Sequence, residues 1–313
     1  MPHITRAAAQ PPVRLKRHKT ADIIRRAGTP YLFIAPFMVI FFIFTVLPVA
    51  ISICLSFTYF NILEPPRFVG WNNYINLFLA DDVFVTAVKN TFIMAAITGP
   101  VGYIASFVFA WLINELRPKL RALMVVVFYA PTLAGNAYVI WGSMFSGDAY
   151  GYVNGFLMKL GFINEPIQWM QDSSYVMGVV LLVILWMSLG TSFLAFIAGL
   201  QGIDDSQFEA ACIDGMKNRW QELYYITLPN MKPMLLFGAV MAITQSFAIS
   251  DVTVQLAGFP SVDYAVHTVV NHLSDYGNLR FEMGYACAIA TILFIVMILT
   301  NKLVQRLLRN VGR

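Results

Sequence analysis

The sequence predicts an all-α, polytopic membrane protein with six transmembrane helices and both termini in the cytoplasm. Of its 313 residues, 58% are hydrophobic and 12% are charged, against the roughly 25% charged of an ordinary soluble domain. The charges are bunched, leaving charge-free windows at 31–63, 90–114, 122–147, 173–203, 233–250 and 283–301. Each approaches or exceeds the ~20 apolar residues a helix needs to cross hydrocarbon. Of the 21 Lys and Arg, 17 fall in residues 1–29, 114–121, 200–233 and 302–313. These are alternate loops of a six-span chain, and the positive-inside rule assigns them to the cytoplasm.

The windows are continuously apolar and lack the polar–apolar alternation of a barrel wall, so helices rather than strands are expected. Glu64, Asp81, Asp82, Asp148, Glu165 and Asp172 fall in the opposite loops and fit the outer face. The net charge of +4 is distributed by topology rather than gathered on a binding face. No nucleic-acid partner is therefore expected, even for the run Arg14-Leu15-Lys16-Arg17-His18-Lys19.

Residues 1–29 read as a basic cytoplasmic arm with too few apolar residues to form a core. Span one is expected over Tyr31–Phe57, with Pro36 and Pro48 kinking it. Its apolar stretch is about twice a signal-peptide core, so it reads as an uncleaved span. The outer loop that follows carries Phe68-Val69-Gly70-Trp71-Asn72-Asn73-Tyr74, a mixture suited to the membrane interface. Span two covers Val83–Ile113 and is interrupted by Gly99-Pro100. A tight turn at Glu115–Lys119 leads to span three, Leu120–Phe145. The second outer loop has a short helix from Tyr152 that stops at Gly161. Span four covers Tyr175–Leu200, span five Met234–Ala257 and span six Met283–Leu303, so the membrane domain runs over 30–303, with a basic tail at 304–313. Cys54, Cys212 and Cys287 have no metal-ligand spacing and read as packing residues. His267 and His272, in the last outer loop, read as surface or docking residues.

The longest internal cytoplasmic segment, 201–233, is the most structured-looking stretch outside the membrane. Ser206-Gln207-Phe208-Glu209 has the form of a capping box, Ala210–Asp214 favours a short helix, and Gly215 supplies a left-handed stop or a point of close approach. A second short helix is expected over Arg219–Ile226, ending before Pro229. Spacing alone leaves two readings open: a force-transmitting surface for a partner, or an amphipathic pair that only caps the bundle.

Glu209-Ala210-Ala211, three residues, Gly215, and then Ile226-Thr227-Leu228-Pro229 resembles the EAA motif of permease subunits in binding-protein-dependent ABC importers. The interval from Gly215 to Ile226 is one residue longer than the commonly written pattern. The resemblance extends through Leu32–Pro48, Phe68-Val69-Gly70, Asn73-Tyr74, Ala130-Pro131, Trp141, Trp186 and Ala198–Ile203, and is to the sugar-type branch that includes the maltose and glycerol-3-phosphate permeases. It implies that Glu209, Ala210, Ala211 and Gly215, with Ile226, Leu228 and Pro229, form coupling helices that dock on an ATPase. It also implies a second homologous permease subunit, two ATPase subunits that bind ATP and Mg, an extracytoplasmic solute-binding protein and a bacterial inner-membrane location. The chain has no Gly-x-x-x-x-Gly-Lys-Ser/Thr loop, so hydrolysis is expected on a separate subunit. No cofactor, metal or catalytic residue is expected here.

Polar residues inside spans are costly and mark candidate pathways. In span five, Thr244, Asp251 and Gln255 recur at helical spacing and share one face, with Phe247 placed to stack on a sugar ring; counted by helix rise Asp251 falls in the outer third of the span, where simple contact with water is the alternative reading. The family resemblance adds Trp186, Thr191 and Ser192 on span four. Two other functions remain open at this point: a transporter driven by an ion gradient, which would show repeated halves, and a non-transporting membrane scaffold.

Overall fold

The structure, a computed structural model, describes residues 31, 33–134 and 137–308. The basic arm over 1–29, its Arg14–Lys19 run and the end of the basic tail lie outside these residues. The chain divides into two units, residues 1–51 and 52–313. Among the described residues, five helices are long and apolar enough to cross a membrane, or six if one bent pair is counted as a span.

Helix α1, Phe33–Leu55, contains a π-turn at Phe42–Val46, closed by the Leu47 N–H donating to the Phe42 carbonyl. The turn ends two residues before Pro48, whose missing N–H and ring conflict with the carbonyl one turn back. An extra residue in that turn moves the carbonyl aside. The same device recurs at Leu223–Thr227, two residues before Pro229.

In the second unit, strands β1 (Thr58–Tyr59) and β2 (Arg67–Phe68) form an antiparallel ribbon pairing Thr58 with Phe68 and Tyr59 with Arg67. The all-α expectation did not include it. The Asn73 amide, at the start of α2 (Asn72–Leu79), donates to the Ser56 and Thr58 carbonyls, which locks the ribbon against the helix. Helix α3, Asp82–Asn114, is span two almost to the residue and extends for about 50 Å. The third window is two helices, α4 (Pro118–Leu133) and α5 (Ala137–Met144), bent by 83° rather than one straight span.

The loop over 146–172 contains α6, Tyr152–Lys159, stopped at Gly161 with φ +75°. Buried Asn154 organises the loop. Its amide donates to the Ser146, Asp148 and Ile167 carbonyls, and its oxygen accepts from the Ile167 N–H and the Trp169 indole. Span four is broken into α7 (Ser173–Met187) and α8 (Thr191–Gln201). The loop helix α9 is Asp205–Ile213. Helix α10, Arg219–Glu222, runs through the second π-turn into α11, Leu228–Phe247. The stop expected before Pro229 does not occur, because the π-turn just before it moves aside the carbonyl that the proline ring would meet. Span five then breaks at 248–250 and resumes as α12, Asp251–Ala257. Helix α13, Val269–Ser274, and α14, Met283–Leu308, complete the unit.

The core is the packing of α3, α8 and α11, with α14 laid against α11. Ala110, Ile113, Phe193, Phe196, Leu200, Met231 and Leu235 form its largest buried cluster. Close approach depends on Gly238, where a Cβ would overlap the Phe196 ring, and the Ser192 hydroxyl donates to the Gly238 carbonyl.

Candidate functional site

The loop 201–233 presents one candidate surface. Asp204, not Ser206, caps α9, accepting from the Ser206 N–H. The expected capping box is displaced because an aspartate two residues earlier satisfies the same free helix end. Helix α9 ends in a Schellman motif: the Gly215 N–H donates to the Cys212 carbonyl and the Met216 N–H to the Ala211 carbonyl. Gly215 has φ +89°, and a Cβ there would meet nothing within 4 Å. Its glycine is therefore required by backbone conformation, and the surface around it is open.

Glu209, Ala210 and Gly215 are exposed, while Ala211 and Ile226 pack inward and Leu228 and Pro229 are half-buried. Ile213 is 87% exposed, and Trp220, Tyr224 and Tyr225 are also uncovered. An apolar surface of this kind marks an interaction site. Cys212 and Cys54 are exposed and Cys287 is half-buried, so the packing role expected for the cysteines does not hold for the first two.

This loop is tied to the bundle. The Asn230 amide donates to the Gln207 side chain at 2.7 Å and to the Ile226 carbonyl, joining α9 to the base of α11. Arg219 pairs with Glu115 at 2.9 Å and with Glu222 at 2.8 Å, and Trp220 packs on Trp111 at 5.4 Å. The ion pairs are exposed and contribute little energy by themselves. They do fix orientation between the loop and the end of α3.

At the level where spans four and five break, the bundle holds a cavity of about 210 Å³. Its polar wall includes Ser106, Ser188, Ser192, Gln245, Ser250 and Asp251. Irregular backbone at membrane depth requires substitute partners, and these are present: Ser106 donates to the Ser188 carbonyl, Thr132 to Leu189 and Thr268 to Ile249. The break at 248–250 interrupts the face expected to join Thr244, Asp251 and Gln255. Asp251 lines the cavity; Thr244 and Gln255 do not, and the Thr244 hydroxyl is turned onto the Val240 carbonyl. Phe247 lies instead on a separate apolar cavity with Phe92 and Ile243. Of the span-four candidates Ser192 is on the wall, while Trp186 packs on Trp141 at 5.3 Å and Thr191 is exposed outside it. Gln245, Ser246 and Ser188 were missed. The signal for the first two was the polar run Gln245-Ser246 followed by Ser250-Asp251 in an otherwise apolar window.

The comparisons with known proteins bear on this arrangement. The family model described as the inner membrane component of binding-protein-dependent transport systems matches residues 98–313. The chain belongs to that family. It is 30% identical to the probable ABC transporter permease protein YesP of Bacillus subtilis (strain 168), covering 85% of this chain and 86% of the relative. It is also 30% identical to the arabinooligosaccharides transport system permease protein AraP of the same organism, over 88% and 87%, and to the lactose transport system permease protein LacF of Rhizobium radiobacter, over 71% and 73%. The fold matches a chain of a bacterial alginate ABC transporter, in complex with a periplasmic protein carrying alginate pentasaccharide. That match has a TM-score of 0.73 at 20% identity and covers 93% of this chain and 98% of the other.

At the end of this permease away from the α9–α10 loop, the last interhelical loop is held by a buried polar cluster. His267 and His272 are each 2% exposed, which corrects their reading as surface residues. Asp81, at the start of α3, accepts from the Phe84 N–H at 2.9 Å, from Tyr285 at 2.8 Å and from His272 at 3.0 Å. Burial pushes the Asp81 carboxyl up, but these donors and His272 outweigh it and hold the carboxyl below its ordinary range. Burial holds His272 below the ordinary imidazole value despite Asp81. Neutral His272 therefore carries its hydrogen on Nε2, facing the carboxylate. Neither ring nitrogen of His267 has a partner among the described residues, and burial, reinforced by His272, pushes its pKa down to about 4.

Proposed function

We propose that this chain is one of two homologous permease subunits of a bacterial ATP-driven importer, and that it passes a carbohydrate delivered by an extracytoplasmic solute-binding protein. It sits in the inner membrane as six spans, the bent pair α4–α5 counting as one, with both termini and the 201–233 loop in the cytoplasm. Two ATPase subunits dock on that loop and bind the ATP and Mg; this chain contributes no catalytic group. The names of the relatives support the carbohydrate assignment: AraP is a permease for arabinooligosaccharides and LacF for lactose.

The observation that carries the reading is mechanical. The exposed surface of Glu209, Ala210, Ile213 and Gly215 is tied through Asn230 to the base of α11. From there α11 runs for about 30 Å to Gln245 and Ser246 on the cavity wall. Closure of the ATPases moves the loop, and the helix carries that displacement to the cavity, switching it from inward- to outward-facing.

The test is uptake by vesicles containing the complex purified with its binding protein. Uptake of labelled oligosaccharide should require ATP. In Gly215→Asp the side chain is forced into left-handed backbone at a cost of roughly 1–2 kcal/mol, too little to unfold the bundle, and places a charge on the docking surface. The ATPase should then be lost on purification while the second permease is kept. Uptake that follows an ion gradient without ATP would replace this reading with the gradient-driven one. A chain that brings down no ATPase and transports nothing would be a scaffold.

A further inference from the structure

We propose that this subunit's side of the pathway is a charge filter: the Asp251 carboxylate admits uncharged saccharides and excludes anionic ones. The inference rests on reading the 210 Å³ cavity as the pathway. Asp251 is the one charged group on its wall among the described residues; the remaining polar lining is hydroxyl and amide, with no lysine, arginine or histidine. The carboxylate is exposed and makes no hydrogen bond or ion pair with any described residue. It is therefore neither neutralised by a structural partner nor occupied in holding the break at 248–250, where the Ser250 and Thr268 hydroxyls bond instead.

Hydroxyls and an amide pair equally well with the donors and acceptors of a neutral sugar. A uronate or sugar phosphate would meet an unopposed like charge. At about 6 Å, with an effective dielectric between roughly 20 and 80, that repulsion lowers occupancy about three- to hundredfold. The N-terminal ends of α8, which brings Ser192 to the wall, and of the seven-residue α12, whose first residue is Asp251 itself, each offset part of that charge, so the repulsion lies toward the lower end of this range. The fold does not dictate this preference, since the alginate transporter with the same fold imports an acidic polysaccharide. The lining does.

The experiment reads the field in the cavity without needing the substrate. In the assembled transporter, with Cys54, Cys212 and Cys287 replaced by serine, Gln245→Cys is treated with cationic and anionic methanethiosulfonates of matched size. Rates are read from the mass of this chain and normalised to a free thiol. A reagent about 8 Å from the carboxylate should show about two- to twentyfold preference for the cation, and Asp251→Asn should abolish it. Tyr138→Cys, on the same wall, repeats the measurement if Gln245→Cys fails to assemble. Modification without a charge preference, or with one that survives Asp251→Asn, overturns the filter and leaves the pathway standing. No modification at either position, in resting or ATP-bound transporter, overturns both.

Discussion

Acidification should loosen the loop that carries α13, and His267 sets the size of the effect. In the folded chain its pKa is about 4, against an ordinary 6.5. When the loop opens to water the imidazole regains its ordinary affinity, so the open state binds more protons and stability falls as pH drops. The loss begins near pH 6.5 and is complete near pH 4. At pH 5 the two pKa values give about a thirtyfold shift toward the open state, roughly 2 kcal/mol. His272, also held below its ordinary value, acts in the same direction. Asp81, held below 3.8, loses its contribution only at more acid pH, outside the window. The assay is hydrogen exchange of peptides within 259–282 at pH 7.5 and 5, corrected for intrinsic exchange. The control is His267→Phe, which fills a similar volume and sacrifices no hydrogen bond to a described residue, and should remove most of the pH dependence. Equal loss of protection in wild type and His267→Phe would refute the argument.

Gly238→Ala drives a methyl group into the buried Phe196 ring and should destabilise the bundle by about 1–3 kcal/mol. Gly178→Ala, with nothing within 4 Å, should be neutral or slightly stabilising, and thermal melting of the two purified variants makes the comparison. Asn154→Ala removes an amide that satisfies five groups. It should cost this loop roughly 3 kcal/mol, visible as faster limited proteolysis within 146–172 while the bundle stays resistant.

Much of the fold was legible because charge-free length and the positions of lysine and arginine report directly on spans. Span two was read to within a residue at each end, and the left-handed stop at Gly215 followed from helix-end chemistry. The failures share a cause. The face joining Thr244, Asp251 and Gln255 assumed an unbroken helix; Ser250-Asp251 has the form of a helix start, but the hydroxyl that satisfies the freed Ile249 carbonyl comes from Thr268, far away in sequence. In the same way His272 was read without Asp81, 191 residues distant. Periodicity reports on local backbone; it is blind to a hydroxyl or carboxylate supplied by another element. Pro229 misled in the opposite sense, since a residue that stops helices elsewhere is accommodated by the preceding π-turn.

The positions of the breaks bear on how coupling would work. From Arg219 to Phe247 the chain is helical without interruption, with the π-turn and an internal Pro233 as its irregularities, so under the proposed coupling a displacement of the loop would be carried toward the cavity. Beyond it, residues 248–250 are not helical, and Ser250 has φ −149° and ψ −55°. The segment that follows is anchored independently: Ser250 donates to Asn271 at 2.5 Å, Asn271 to Thr253 at 2.7 Å, and Thr268 to the Ile249 carbonyl. Under the proposed coupling, motion delivered by α11 would be absorbed between Phe247 and Asp251 rather than passed on to α12 and α13. Gln245 and Ser246 would move against Ser250 and Asp251, reshaping the cavity across its own wall while the Asp81–His272 end stays in place. In a permease whose span five were one unbroken helix, the same displacement would be carried to both ends.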